Sequence, residues 1–134
     1  MNNTTTYSRW TRFGALALVA ATTLIPAASA EAKDGDVIKR GNCSGTADWK
    51  LKASPENGRI EVEGEVDSNK VGQRWSWKIK HNGSLSARGT KTTVAPSGSF
   101  EVRRVLVNMP GGDRIVFKAR NIRSGEVCRG ALTF

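Results

Sequence analysis

Apolar and polar residues alternate most clearly along residues 73–90, which read QRWSWKIKHNGSLSARGT. Trp75, Trp77 and Ile79 occupy odd positions, and arginine, serine and lysine occupy the even positions around them. This two-residue period is typical of a strand with one buried face and one solvated face. We therefore predict a strand whose two indoles lie in the core.

A turn at His81–Gly83 predicts that this strand folds back as a hairpin. With a three-residue loop, Trp77 pairs with Ala87 and Trp75 pairs with Gly89, so each indole faces a small residue. A two-residue loop would instead place larger polar side chains opposite the tryptophans. We therefore expect the three-residue loop.

Much of the remaining chain has the same short alternating segments, bounded by glycine, proline, asparagine or serine. The odd positions of 43–53 are small or apolar, and Asn57-Gly58 predicts a turn into a second alternating segment, 59–67. In 99–108 the apolar residues change parity at Arg103-Arg104, which predicts a β-bulge.

These elements predict an all-β protein, a small antiparallel β-sandwich of seven or eight strands that is immunoglobulin-like in architecture. A small closed barrel is the alternative. No stretch of ten or more residues after Asp36 has the periodicity of a helix.

The start of the chain, residues 1–30, is predicted to be a signal peptide. Arg9 and Arg12 precede an apolar run, and Ala28-Ser29-Ala30 has the small residues after which a signal peptidase cleaves. The apolar run, about 13 residues, is too short to span a membrane. We therefore expect a secreted protein with no membrane span, in which 31–134 form a single domain.

Cys43 and Cys128 are the only cysteines. Both are expected on buried strand faces, near opposite ends of the mature domain, and an exported protein meets an oxidising environment. We predict that they form one structural disulfide. A metal or redox thiol site is the alternative, but it lacks CxxC spacing and a histidine cluster.

Several short stretches carry a resemblance to other proteins. They are Trp49-Lys50-Leu51, NGRIEV at 57–62, GQRW at 72–75, APSGSF at 95–100 and the Gly125-Glu126-x-Cys128 ending. With these, nearly all of the mature chain resembles small secreted actinobacterial proteins, Streptomyces-like, of uncharacterised function. The resemblance implies a bacterial source and secretion, and it implies no activity.

One face of 59–67 carries four carboxylates, those of Glu61, Glu63, Glu65 and Asp67. Calcium ligands converge at about 2.3–2.6 Å from one point, whereas residues on one strand face lie about 6.5–7 Å apart. The turn at Asn57-Gly58 places Lys50 and Lys52 across from two of the glutamates, and we expect the 73–81 strand on the other side. A ladder of ion pairs is therefore favoured over a metal or acid–base site.

Positive charge is placed unevenly. The formal net charge of +9 becomes +7 when Arg9 and Arg12 are removed with the signal peptide. Residues 68–93 contain six Lys or Arg and no Asp or Glu. Residues 31–67 contain six basic and nine acidic residues, and residues 94–134 contain seven basic and three acidic ones. On the last hairpin, an uncompensated excess of positive charge either attracts anions or only keeps the protein soluble.

The last hairpin is predicted to carry the clearest basic face. A Ser124-Gly125 loop pairs Phe117 with Leu132 and places Arg120 opposite Arg129, like charge against like charge. Other arginines and one lysine of this half of the chain are expected to add to the face. The candidate anion-binding residues are Arg103, Arg104, Arg114, Lys118, Arg120 and Arg129.

The residue inventory argues against an enzyme. His81 is the only histidine, it falls in a predicted loop, and no nucleophile motif accompanies it. No catalytic residue, cofactor or metal ligand is predicted. We expect a secreted non-enzymatic binding domain that engages an acidic protein, nucleic acid or a cell-envelope polyanion such as teichoic acid through a basic sheet face. The alternative is a cell-wall carbohydrate-binding module that uses exposed aromatic residues.

Overall fold

A computed structural model describes residues 33–134 as eight β-strands without a helix. The strands are β1 Val37–Asn42, β2 Asp48–Glu56, β3 Arg59–Asp67, β4 Arg74–His81, β5 Ser84–Thr92, β6 Ser99–Val107, β7 Arg114–Asn121 and β8 Val127–Thr133. The predicted signal peptide, 1–30, lies outside the described residues. Within 33–134 there is no helix that could cross a membrane.

The strands form two four-stranded antiparallel sheets. Sheet 1 has the order β1-β2-β3-β6, and sheet 2 has the order β5-β4-β7-β8. One cluster of buried side chains includes Leu51 and Val62 from sheet 1 together with Ile79 and Phe117 from sheet 2. The prediction of an all-β protein whose core lies between two sheets is therefore confirmed.

The hairpin of β2 and β3 has the predicted pairing. Asn57 and Gly58 form a two-residue turn with φ of 49° and 77°, and Lys50 and Lys52 pair with Glu65 and Glu63. On its other side β3 pairs with β6, so the prediction that the 73–81 strand lies there was wrong. That strand, β4, belongs to sheet 2, because its apolar face must cover the apolar face of sheet 1.

The hairpin of β4 and β5 departs from the predicted register. Its loop has two residues, Asn82-Gly83, with φ of 48° and 85°. A bulge next to Ile79 then shifts the pairing by one residue. Trp77 consequently pairs with Gly89, so a small residue does face this indole, but the bulge places it there and the three-residue loop was wrong.

β6 contains no bulge, because its pairing with β3 is continuous from Ser99 to Val107. Val105 and Val107 are exposed, and Arg104 occupies a position of inward parity. An arginine can lie there because β6 is an edge strand, so its guanidinium reaches the rim of the core. The Arg104 Cζ lies 5.1 Å from the centroid of the Trp77 ring, a distance typical of a cation–π contact.

The hairpin of β7 and β8 is shifted by two residues from the prediction. Its loop has four residues, 122–125, and is closed by the Asn121 amide, which donates to the Glu126 carbonyl at 2.8 Å. Phe117 therefore pairs with Gly130 instead of Leu132. A shift of two residues keeps the same side chains inward, so the predicted faces of both strands are correct.

The two sheets approach closely where glycines face large rings. A methyl group at Gly64 of β3 would lie 2.6 Å from Cδ2 of Phe117, and one at Gly130 of β8 would lie 2.4 Å from Cζ3 of Trp49. Real Cβ atoms essentially never show such distances, so only glycine lets these rings enter the core at these points.

The predicted disulfide between Cys43 and Cys128 is confirmed. Cys128 is fully buried on β8, whereas Cys43 lies in the connection between β1 and β2 instead of on a strand. The bond therefore joins sheet 1 to sheet 2 at one side of the sandwich. The opposite side, between the edge strands β5 and β6, has no covalent link.

Candidate anion-binding face

The strands of sheet 2 contain nine Lys or Arg residues and no Asp or Glu. These residues are Arg74, Lys78, Lys80, Arg88, Lys91, Arg114, Lys118, Arg120 and Arg129. The strands of sheet 1 contain seven basic and seven acidic residues, so their formal charges cancel. The excess positive charge of the eight strands therefore lies entirely in sheet 2.

Four of these cations form a row across sheet 2. Lys78 on β4 pairs with Arg88 on β5 and with Lys118 on β7, and Lys118 pairs with Arg129 on β8. They point outward, because neighbouring Trp77 is buried in the core. Neighbouring strands lie about 4.7–4.9 Å apart, so the row is about 14–15 Å long. Hereafter Arg88, Lys78, Lys118 and Arg129 are the cation row.

No member of the cation row forms an ion pair with a residue of 33–134. The outward rows on either side contain one cation each. One consists of Thr90, Ser76, Arg120 and Val127, and the other of Leu85, Lys80, Val116 and Ala131. The cation row is therefore the row of this face in which every strand, from the edge strand β5 to the edge strand β8, contributes a positive charge.

A shallow depression of about 570 Å³ lies beside the cation row. Lys78, Arg88 and Lys118 line it together with Arg120, and Ser76 and Thr90 add hydroxyl groups. Gly89 and Trp77, whose Cβ positions are directed toward the core, complete the lining. Ammonium, guanidinium and hydroxyl groups are all hydrogen-bond donors, so the depression has the chemistry of an anion site.

The structure divides the six predicted residues into two groups. Arg114, Lys118, Arg120 and Arg129 share the outward face of sheet 2, although Arg129 lies opposite Lys118 and not opposite Arg120. Arg103 and Arg104 are in β6 of sheet 1 and do not belong to this face.

Arg103 lies on the outward face of sheet 1, among carboxylates. Its guanidinium is 2.7 Å from Glu63, 3.5 Å from Glu61 and 3.4 Å from Glu101. These charges, Glu63 first, raise the pKa of Arg103 further. The charge of Arg103 is therefore already compensated within the protein, which is why including it in the basic face was wrong.

The sequence reasoning missed Lys78 and Arg88, which complete the cation row. Alternation assigned both residues an outward position but could not show that β4 lies beside β7. The complete lack of acidic residues in 68–93 was the available signal. Combined with the similar lack in β7 and β8, it would have indicated that all four strands share one basic sheet.

Three of the four carboxylates of the acidic row of β3 form ion pairs, as the ion-pair interpretation predicted, but Asp67 forms none with a described residue and Lys52 binds Asp36 instead of a glutamate. Lys50 binds Glu65 at 2.7 Å, and Arg103 of β6, instead of a lysine of β4, binds the other glutamates. Glu63 is only 8% exposed, so it is buried and not solvated as expected. Within the described part of the chain, no group of three or more metal-ligating side chains comes together.

His81 is the last residue of β4 and not a loop residue. Its Nε2 contacts a carboxylate oxygen of Asp113, which is buried. The same carboxylate accepts the Met109 amide at 3.1 Å. The pair therefore ties the end of β4 to the connection between β6 and β7.

The tryptophans of β4 belong to the core, as predicted. Trp75 is completely buried and Trp77 is 5% exposed. Trp49 is half-buried and packs against the core. None of the three tryptophans within residues 33–134 is therefore classed as exposed.

Comparisons of the chain with protein-family models, with curated proteins and with solved structures found no match. The chemistry of the sheet 2 face is therefore what bears on function.

Proposed function

We propose that the protein is a secreted, non-enzymatic binding domain that engages an anionic macromolecule through the outward face of sheet 2. The observation that carries this proposal is the cation row, four positive side chains in mutual register with no acid among them. Like charges directly opposite one another destabilise a sheet. An anion bound along the row would remove this repulsion.

Binding of this kind is multivalent and electrostatic. Each cation that replaces a condensed counterion of a polyanion contributes through counterion release, so affinity falls steeply as salt is added. The neutral charge balance of the sheet 1 strands supports a partner on one side of the molecule. An enzyme would need a set of convergent catalytic groups, and the basic face offers only donors and positive charges.

The test is retention of the mature protein on immobilised heparin and on DNA. Lys78→Glu/Lys118→Glu reverses two charges of the cation row. The matched control, Lys39→Glu/Arg59→Glu, changes the net charge equally at two exposed residues of sheet 1 that make no ion pair with a described residue. We expect the first variant to elute at much lower salt than the control. Equal elution of the two variants would show that only the total charge matters, and the proposal would fail.

We also propose that the fold is immunoglobulin-like. If β1 is set aside, β2, β3 and β6 take the places of strands A, B and E, and β5, β4, β7 and β8 take those of C′, C, F and G. This order supports the assignment. The disulfide departs from the immunoglobulin pattern, because it joins the β1–β2 connection to the last strand instead of joining strands B and F.

Secretion through residues 1–30 remains part of the proposal. The disulfide supports it, because such bonds form and persist mainly in oxidising compartments.

A further inference from the structure

The longest unbroken line of outward cations on sheet 2 runs across its strands. Along β4 only Lys78 and Lys80 are consecutive outward cations, because Ser76 separates them from Arg74. Along β7 only Lys118 and Arg120 are consecutive, because Val116 separates them from Arg114. Across the strands, the cation row continues without a gap through all four. The densest line of positive charge therefore runs perpendicular to the strands.

We propose that the partner is a flexible, base-free polymer of phosphate or sulfate groups that lies along the cation row, across the strands. This inference rests on the proposed function and specifies its partner class and orientation. A chain in this position places successive anionic groups above successive strands, and each of the four cations meets one of them.

The spacing of the row disfavours an acidic peptide. Carboxylates on one face of an extended peptide lie about 6.5–7 Å apart, whereas the cations of the row repeat at the strand spacing of about 4.7–4.9 Å. A repeat of about 6.5–7 Å occurs along the strands, where no more than two outward cations are consecutive because Ser76 and Val116 interrupt the line. A flexible polymer of tetrahedral anions can adjust to the shorter repeat.

The side chains of the face disfavour nucleic acid. Proteins that bind single-stranded nucleic acid combine a basic groove with aromatic side chains on which the bases stack. Apart from lysine and arginine, the rows beside and including the cation row contain only serine, threonine and aliphatic residues. The aromatic residues Trp75, Trp77 and Phe117 of these strands face the core, and Trp77, although it contributes to the lining of the depression, is only 5% exposed. The face can therefore bind a charged backbone but offers no stacking platform for bases.

The depression beside the row fits one tetrahedral anion of the chain. Lys78 and Arg88 supply charge there, and the hydroxyl groups of Ser76 and Thr90 are in the lining. A guanidinium presents its donors as a planar fork that matches phosphate geometry, and a hydroxyl adds a neutral donor. The depression therefore marks the point where the chain is held most closely.

The test is a titration of the mature protein with inorganic polyphosphates of graded length, with heparin fragments and with single-stranded DNA of equal formal charge. We expect polyphosphate or heparin to bind more tightly than the DNA, and whichever is tighter identifies phosphate or sulfate as the preferred group. Affinity should rise steeply with chain length up to about 15 Å, the length of the row, and only slightly beyond it. Tighter binding of DNA, or a dependence on its bases, would overturn the base-free assignment.

Two variants test the alignment. Lys78→Gln/Lys118→Gln removes two charges from the row, and Arg74→Gln/Arg114→Gln removes two charges from the same face outside it. We expect the first to weaken polyphosphate binding on the order of tenfold at 0.1 M salt and to lower the salt slope by about 1.4, and the second to change affinity by less than about threefold.

Equal losses in these two variants would overturn the alignment while leaving a basic binding face in place. Losses no larger than those of Lys39→Gln/Arg59→Gln on sheet 1 would overturn the proposed function as well. Circular dichroism of each variant verifies that it is folded, and all of these substitutions replace outward or exposed side chains.

Discussion

Arg103 and Arg104 are neighbours in the sequence with opposite environments. Arg103 lies outside the sandwich among three glutamates, and Arg104 lies at the rim of the core over Trp77. Side chains alternate between the two faces of a strand, so this division follows directly from an unbroken β6. At the edge of a sheet, the residue type alone therefore does not determine whether a side chain faces the core or the solvent.

Trp77 should be among the residues on which stability depends most. We expect Trp77→Ala to lower the free energy of unfolding by about 3–5 kcal/mol, because truncating a buried aromatic ring leaves a cavity. Arg104→Ala removes only the partner above the ring and should cost about 0.5–1 kcal/mol. Urea unfolding followed by far-UV circular dichroism measures both. Similar losses in the two variants would contradict this ranking.

Asp36 should make stability depend on pH in the acid range. The Ser54 hydroxyl first, and then the Lys33 amide at 2.9 Å and the Lys52 ammonium at 3.3 Å, lower the pKa of Asp36 against an opposing effect of desolvation. This carboxylate therefore stabilises the fold above its unfolded pKa of about 3.9, and the contribution is lost as the pH falls through the lower folded value.

The variant Asp36→Asn removes this titration. We expect its free energy of unfolding to fall less steeply than that of the wild type below about pH 4. Urea unfolding at a series of pH values from 2 to 6 provides the comparison. Parallel curves for the two proteins would mean that other carboxylates account for the acid sensitivity.

At the scale of strands and hairpins, alternation predicted which side chains face the core, and it predicted their pairing only where the turn was simple. The Asn57-Gly58 hairpin has uniform pairing, and the position of Lys50 and Lys52 opposite two glutamates followed from the turn in either register. The bulge beside Ile79 depends on how β4 and β5 pair with each other. The alternation of residues along one strand carries no information about that pairing. The same limit explains why the position of β6 beside β3 could not be predicted.

The loop of the β7–β8 hairpin illustrates a second limit. Its four residues are held by the side chain of Asn121, whose Oδ1 accepts the amides of Arg123 and Ser124 at 2.9 and 3.0 Å. A Ser-Gly pair predicts a two-residue turn from local preference alone. The buried Asn121 favours the four-residue loop over this two-residue turn, because its side-chain oxygen accepts hydrogen bonds from two loop amides.

The variant Asn121→Ala tests this explanation. Losing the acceptor for two amides should lower the free energy of unfolding by about 1–3 kcal/mol. Asn108→Ala is a suitable control, since Asn108 is exposed and its side chain makes no hydrogen bond to a described residue. Thermal unfolding of both variants gives the comparison, and equal midpoints would show that the loop is held by other contacts.

At the scale of the whole domain, the disulfide is the main covalent constraint. It closes a loop of 85 positions and links the two sheets. Cys43→Ala/Cys128→Ala should lower the free energy of unfolding by about 2–5 kcal/mol. Denaturant unfolding of the double variant, compared with that of the disulfide-bonded wild type, measures this loss. A loss well below 1 kcal/mol would mean that packing between the sheets is sufficient by itself.

The cation row should reduce stability while it enables binding. Two unit charges about 5 Å apart repel by less than about 1 kcal/mol in water, and salt screens this further. We therefore expect Lys78→Gln/Lys118→Gln to melt at the same or a higher temperature than the wild type at low salt, with the difference vanishing near 1 M salt. Lys50→Gln, which breaks an ion pair with Glu65, should show no such gain. A lower melting temperature for the row variant would contradict the repulsion argument.

The separation of charge between the sheets also makes the domain an electric dipole. Its positive pole is the sheet 2 face, and its axis runs through the sandwich from one sheet to the other. In the field of an anionic surface, such a molecule is turned before contact, so most encounters begin with the binding face already oriented. The association rate should therefore decrease steeply with ionic strength, while the dissociation rate depends on the few close contacts beside the row.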